Sequence, residues 1–270
     1  MASSRREAGL TPLKLQGGRT VIVDNRTGRA PADFVLLTLA KRGAEEGYTV
    51  ISNYIGKERP APDAVPKLHI CTLLRPGKHT EQAGAICAMG TLAAAHAIER
   101  NSETRTQIHW LGGIHPERRR FSPFATRQIA TVWAQSLLLP SGFLDYMILH
   151  AEIDMPKSRF PIRMVDAVAS IFTSRPVNNA DHLTQSFLHD FFGMYDMMRS
   201  GVTELPFWNE YCQRSYLIGK RVRFRDGKKI RRGKVVSVTE TGALVIVGGR
   251  GRRYELTSQA ALISGARNYK

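Results

Sequence analysis

Apolar residues along this 270-residue chain fall into short clusters separated by Gly, Pro and charged positions, and the spacing within each cluster predicts its element. Thr20–Val23 is a β-branched run suited to a strand. Pro31–Glu46 carries Phe34, Leu36, Leu37, Leu39 and Ala40 at helical spacing, with Pro31 tolerated in the first turn and Gly43 or Gly47 as the stop. Tyr48–Ser52 and Leu68–Leu74 are further strands, the second closed by Arg75-Pro76-Gly77, and the proline-containing stretch Tyr54–Pro66 between them is a loop. A long helix capped by Thr80 runs to Glu99. Its small residues (Ala83, Gly84, Ala85, Ala88, Gly90 and Ala93 to Ala95) predict close packing on a sheet.

Arg105–Leu111 is another strand, and Arg127–Leu139 and Phe143–Met155 flank the breakers Pro140-Ser141-Gly142 as an antiparallel hairpin. Asp181–Arg199 is a helix with an aromatic and Met face. After that the pattern shortens. Val222–Phe224, Val235–Val238, Ala243–Val247 and Arg253–Leu256 alternate with Asp226-Gly227, Thr241-Gly242 and Gly248-Gly249, the rhythm of a small β-barrel. The predicted architecture is α+β with a small all-β domain at the C-terminal end.

Charge strengthens that division. The chain holds 39 Lys and Arg against 23 Asp and Glu, a formal net charge of +16. Residues 213–270 contain 15 basic and three acidic residues, a net of +12, which leaves 24 basic and 20 acidic residues, a net of +4, in the first 212. A boundary near residue 216 follows, with domains at 1–216 and 217–270. Lys220, Arg221, Arg223, Arg225, Lys228, Lys229, Arg231, Arg232 and Lys234 crowd one short stretch, and Arg250, Arg252 and Arg253 return later. On a barrel such residues are candidates for holding a polyanion, either RNA or an acidic protein. Stackable aromatics are few in this region (Phe224, Tyr254, Tyr269), so backbone contact is favoured over base readout.

No apolar run approaches the roughly 18–20 residues of a membrane helix, and Met1–Leu15 lacks the apolar core of a secretory leader. Three cysteines, Cys71, Cys87 and Cys212, with no CxxC spacing, predict neither a disulfide framework nor a zinc site. The expectation is a cytoplasmic, metal-free protein with no membrane partner. Cys71 reads as a core thiol, Trp110 as a core aromatic or a pocket wall, and Arg118, Arg119 and Arg120 as a solvated loop or phosphate contacts. Strand alternation places Glu152 and Asp154 on one face, and Ser141 lacks the G-x-S-x-G setting of a nucleophile.

The order of elements, together with several local patterns, resembles the biotin–protein ligase family in its form without an N-terminal helix-turn-helix. The patterns are Leu39-Ala40-Lys41-Arg42-Gly43 leading to Gly47-Tyr48-Thr49-Val50, Leu73-Leu74-Arg75-Pro76, Ile108-His109-Trp110 and Gln128-Ile129-Ala130. Tyr211–Val222 (YCQRSYLIGKRV), Gly233 and Gly242-Ala243-Leu244 extend the likeness into a region similar to the family's SH3-like C-terminal domain. The resemblance covers about residues 19–265 and implies a mixed sheet with flanking helices. It also implies ATP and biotin as ligands, biotinyl-5′-AMP as intermediate, and an acidic carrier protein as acceptor.

The chemical positions depart from the family. Its GRGRxGR loop falls on Gly56-Lys57-Glu58-Arg59-Pro60-Ala61-Pro62, where Gly56, Lys57 and Arg59 remain as ligand-binding candidates and two prolines remove amide donors. The Ser-Thr-Asn that contacts biotin falls on Pro31-Ala32-Asp33. The KWPND segment falls on His109 to Gly113, keeping only Trp110, and the second family lysine falls on Gln128. The glycines of the late GxGxN strand fall on His150 and Glu152, with Asp154 in place of the Asn. A fixed donor at a developing negative charge is worth about 3–4 kcal/mol, and neither Gln128 nor a neutral His109 replaces a lysine. Two functions follow as alternatives. One is a degenerate ligase kept as a binding module. The other is a divergent ligase using Lys57, Arg59 and His109 as substitutes.

Overall fold

A computed structural model describes residues 10–24, 32–43, 45–54, 67–77, 83–102, 105–110, 112–117, 128–138, 144–155, 180–201, 206–257 and 262–265. The larger of its two sheets has eight strands: β1 (Leu10–Lys14), β2 (Thr20–Asp24), β3 (Thr49–Tyr54), β4 (Lys67–Leu74), β5 (Thr106–His109), β6 (Gly113–Pro116), β7 (Ala130–Leu138) and β8 (Leu144–Asp154). Their order is β1-β2-β3-β4-β8-β7-β6-β5. Only β2 and β3 pair in parallel; the other ladders are antiparallel, so the sheet is mixed. The predicted hairpin is present as β7–β8, with Ala130 opposite Ile153 and Trp133 opposite His150.

Helices cover the two faces unequally. On one face lies α2 (Ala83–Asn101), backed by α3 (Ala180–Arg199) and α4 (Pro206–Arg214). Met147, Leu149, Ala151 and Ile153 of β8 point into this larger core, together with Val132 of β7. The small residues of α2 bring its backbone close to the sheet: a Cβ on Gly90 would sit 3.0 Å from Leu149 and Val132 side-chain carbons. α3 contributes Phe187, Phe191, Phe192 and Tyr195, all buried, which is the aromatic face read from its periodicity. On the other face α1 (Ala32–Lys41) buries Leu36 and Ala40 against Val50, Cys71, Leu73 and Ile148. α1 ends at Lys41, five residues short of Glu46, and Gly43, one of the two expected stops, takes φ +80°.

The second sheet is the small β domain: β9 (Arg221–Asp226), β10 (Lys229–Val238), β11 (Leu244–Gly248), β12 (Arg253–Leu256) and β13 (Leu262–Gly265), in the order β12-β11-β10-β9-β13. Val222, Phe224, Val235, Leu244 and Ile246 form its buried face and join the larger core. The turn before β11 holds it against the ligase-like body. Gly242 takes φ +86°, and a Cβ on Gly84 of α2 would lie 1.8 Å from the Thr241 carbonyl oxygen, so only glycine permits this approach. The Trp110 indole N–H donates to the Gly242 carbonyl oxygen at 2.9 Å.

Candidate functional site

The face of the large sheet that α1 partly covers carries His150 and Glu152 of the family-equivalent positions in a row of neighbours. Strand alternation puts Thr131, Trp133 and Gln135 of β7 on it. Register then places Glu152 beside Thr131, His150 beside Trp133 and Ile148 beside Gln135. On the far side of β8, β4 supplies His69 opposite Glu152 and Cys71 opposite His150. Two of the positions that the resemblance singled out, His150 and Glu152, therefore share this face.

That face is occupied by their own side chains. His150 is 1% exposed, and its ring lies 4.8 Å from the Trp133 indole with 1° between the planes. His69 continues the stack, 5.6 Å from Trp133 and 5.3 Å from His150. Glu152 accepts a 3.0 Å hydrogen bond from Lys67 Nζ, and Asp154 is 7% exposed. Glu152 and Asp154 share the predicted face, but Lys67 holds the first in an ion pair. Gln128 is exposed and donates to Thr131 Oγ1 at the rim.

His109 lies at the end of the same face, on the edge strand β5, where it stacks on His115 at 3.9 Å and on Tyr216 at 4.5 Å. Three strands separate β5 from β4, so His109 and the central cluster belong to different neighbourhoods. Trp110 is buried at 2% exposure and ties the body to the β domain, the core role expected for it. Gly56, Lys57, Arg59, Arg118, Arg119, Arg120 and Ser141 lie outside the described residues. A cavity of about 550 Å³ opens on the opposite face, between α2, the β7–β8 hairpin and the turn at Thr241 and Gly242.

The basic residues of the β domain sort by strand parity. Arg221, Arg223 and Arg225 share one face of β9, and β10 places Lys234 opposite Arg221 and Arg232 opposite Arg223. Lys234 pairs with Val247, which pairs with Arg253, so the row crosses four strands. Six cations (Arg221, Arg223, Arg225, Arg232, Lys234 and Arg253) thus share a surface with one anion, Glu255, which pairs with Arg253 at 3.1 Å. All six are exposed except Arg223, which is half-buried. Arg231 takes the other parity, where it donates to Asp226 at 2.6 Å and lies over Tyr254, as does Arg252. Arg250 sits in the β11–β12 turn at φ +59°, and Lys228 and Lys229 lie at the β9–β10 turn. The structure groups six strand residues of the candidate set; Lys229 and Arg231 take the other parity, and Lys220, Lys228, Arg250 and Arg252 lie outside the strands.

Residue types alone did not single out His69. Its pattern, His-x-Cys within a strand, puts both side chains on one face, but the third member, His150, is 79 residues beyond Cys71 and is found only through register.

Comparison with known proteins bears on this geometry. Residues 217–265 match the biotin protein ligase C-terminal domain family. The chain superposes on biotin protein ligase from Aquifex aeolicus with a TM-score of 0.60 at 15% identity, covering 86% of this chain and 94% of that one. A structure of the same enzyme with biotin and ATP aligns with a TM-score of 0.59 at 15% identity, covering 89% and 94%. A biotin protein ligase-like protein of unknown function from Silicibacter sp. TM1040 gives 0.63 at 13% identity, covering 87% and 94%. No curated protein matches the sequence. The chain has the biotin–protein ligase fold. The expected α+β fold class holds, and the C-terminal β domain is the part of the chain that the family model matches.

Proposed function

We propose that this protein is a ligase scaffold used for binding, in which the C-terminal domain docks a polyanion, nucleic acid in the first place, and the sheet face no longer performs acyl-adenylate chemistry. The observation that carries the docking role is the pair of like-charged neighbours across the β9–β10 ladder, Arg223 opposite Arg232 and Arg221 opposite Lys234. Like charges directly opposed on a sheet destabilise it, by about 0.2–1 kcal/mol per pair, unless an anion lies across them. A phosphate backbone supplies that anion, and the sparse aromatics favour backbone contact.

The loss of ligation rests on the other face. Where the resemblance asks for small residues and two lysines, His150 and Glu152 fill the surface and Gln128 and His109 offer no fixed cation. The competing reading is ATP-dependent biotinylation of a carrier protein, and one observation favours it: the fold match extends over 94% of the Aquifex aeolicus enzyme's chain. The test is fluorescence anisotropy of the full chain with a labelled RNA oligonucleotide over a salt series. The expected log–log salt slope is about −3 to −5, for roughly five neutralised phosphates. Absence of binding at low salt to both RNA and DNA overturns the docking role.

A further inference from the structure

Three donor atoms, two imidazole nitrogens and a sulfur, meet at the middle of the filled face, where the reading above uses only the bulk of His150. β4 presents His69 and Cys71 on one side, two residues apart, and β8 brings His150 directly opposite Cys71. His69 Nε2 lies 3.2 Å from His150 Nδ1, and Cys71 Sγ lies 3.2 Å from each of these nitrogens. The three atoms form a nearly equilateral triangle on the two central strands of a rigid sheet. Cys71 is fully buried, His150 is 1% exposed, and His69 is half-buried.

Hydrogen bonding alone does not account for a closed triangle. Each ring nitrogen carries either one in-plane proton or one lone pair, never both. A neutral cluster with one N–H and one S–H therefore has two protons to serve three contacts. A cation at the centre takes a lone pair from all three atoms at once. We propose that His69, Cys71 and His150 bind a single thiophilic d¹⁰ metal ion, zinc(II) or copper(I), through an N₂S donor set.

The dimensions agree with this. The centre of a triangle with 3.2 Å sides lies about 1.8 Å from each corner, and zinc binds imidazole nitrogen at about 2.0 Å and thiolate sulfur at about 2.3 Å. An ion fits by rising slightly out of the plane or by spreading the donors a few tenths of an ångström. The absence of carboxylate from the donor set argues against magnesium and calcium, which demand oxygen, and the thiol argues for a soft or borderline ion. Glu152, the neighbouring carboxylate, is engaged by Lys67. Charge then separates the two candidates. Copper(I) with one thiolate and two neutral imidazoles is neutral and content with three ligands, which suits burial. Zinc(II) leaves one positive charge and takes a fourth ligand. The parallel stack on Trp133 fixes the planes of both imidazoles before any ion arrives, so little reorganisation is required.

The experiment uses the full chain, stripped with chelator under reducing conditions and titrated with zinc(II) against a chromophoric chelator and with copper(I) against bicinchoninate. One equivalent of one ion is expected, and the ion that wins identifies the site. His69→Gln, at the half-buried corner, and Cys71→Ala are each expected to weaken binding about 100-fold or more, while Cys87→Ala leaves it unchanged. Far-ultraviolet circular dichroism screens the variants for folding. Cobalt(II) added to the wild-type chain provides a second readout independent of any substitution: if zinc is the ion, a sulfur-to-cobalt charge-transfer band appears. Failure of both ions to bind at one equivalent overturns the proposal. So does binding that survives His69→Gln in a folded variant, or a zinc-binding chain whose cobalt form lacks the sulfur band.

Discussion

The Trp133 indole and the His150 imidazole lie parallel, 4.8 Å apart, on adjacent strands of the ligase-like sheet. This pair occupies the surface where the family resemblance expects small residues, and burial makes it part of the fold. Removing one member leaves a cavity and an unsupported ring. His150→Ala is expected to lower stability by about 3 kcal/mol, read as a shift in the denaturation midpoint with an unchanged slope. A loss well under 1 kcal/mol would mean that the face is loosely packed.

The cationic surface of the β domain sets like charges directly opposite each other. Arg232→Glu converts the opposed Arg223 pair into an ion pair. At low salt the variant is expected to melt higher by a few tenths of a kcal/mol and to bind RNA more weakly, with a salt slope shallower by about 1–2. Arg231→Ala, on the other parity and paired with Asp226, is expected to change the slope little.

Glu46 accepts four hydrogen bonds from three other segments of the chain. Its carboxylate accepts from the Arg19 guanidinium at 3.3 Å, the Arg75 backbone N–H at 2.9 Å, the Tyr195 hydroxyl at 2.7 Å and the Arg199 guanidinium. Burial first, and then the Glu46 charge, raise the Tyr195 hydroxyl far above its ordinary value and keep it a neutral donor. Glu46→Ala strands the Tyr195 hydroxyl and removes the ion-pair partner of Arg199, while Arg19 keeps Asp196. It is expected to cost about 2–4 kcal/mol in chemical denaturation, against about half that for Glu46→Gln.

His96 gives the fold a pH dependence. It sits between Asp190 at 3.3 Å and Glu210 at 2.7 Å, and its hydrogen bond to Asp190, more than opposing burial, raises its pKa above 6.5. The folded state therefore holds the proton more tightly than the unfolded chain. This contribution is complete below the unfolded value near 6.5 and is lost as pH rises through the raised folded value. Burial raises Asp190 and Glu210, but bonds to His96 and to Arg100 or Arg214 outweigh it and leave both lowered; their contributions vanish instead as pH falls through those lowered values. His96→Gln is expected to flatten stability against pH above 6.5, measured by urea denaturation at several pH values.

Local chemistry decided what could be read from the sequence. Alternation and breakers located β2, β4, the β7–β8 hairpin and four of the five strands of the β domain, all but β13, and the run of small residues in α2 foretold its approach to the sheet. β1 escaped because Pro12 lies inside it, which is tolerated at this sheet edge. β6, four residues ending in Pro116, has no alternation to detect, and α4 hides behind Pro206 at its first position and a mixed aromatic and polar face. The charge shift near residue 216 falls beside the start of the matched C-terminal domain at 217. The His69, Cys71 and His150 cluster was illegible for a different reason. It depends on which residue of β8 faces Cys71, and register between strands almost eighty residues apart leaves no local trace.

The central claim is that this ligase scaffold serves binding and has lost acyl-adenylate chemistry. Its most direct test is a single-turnover incubation of the full chain, in excess, with biotin, magnesium and α-labelled ATP, followed by separation of biotinyl-5′-AMP. The account predicts no adenylate above the protein-free control. Biotinyl-5′-AMP approaching one equivalent per chain would contradict it and establish a divergent but active ligase.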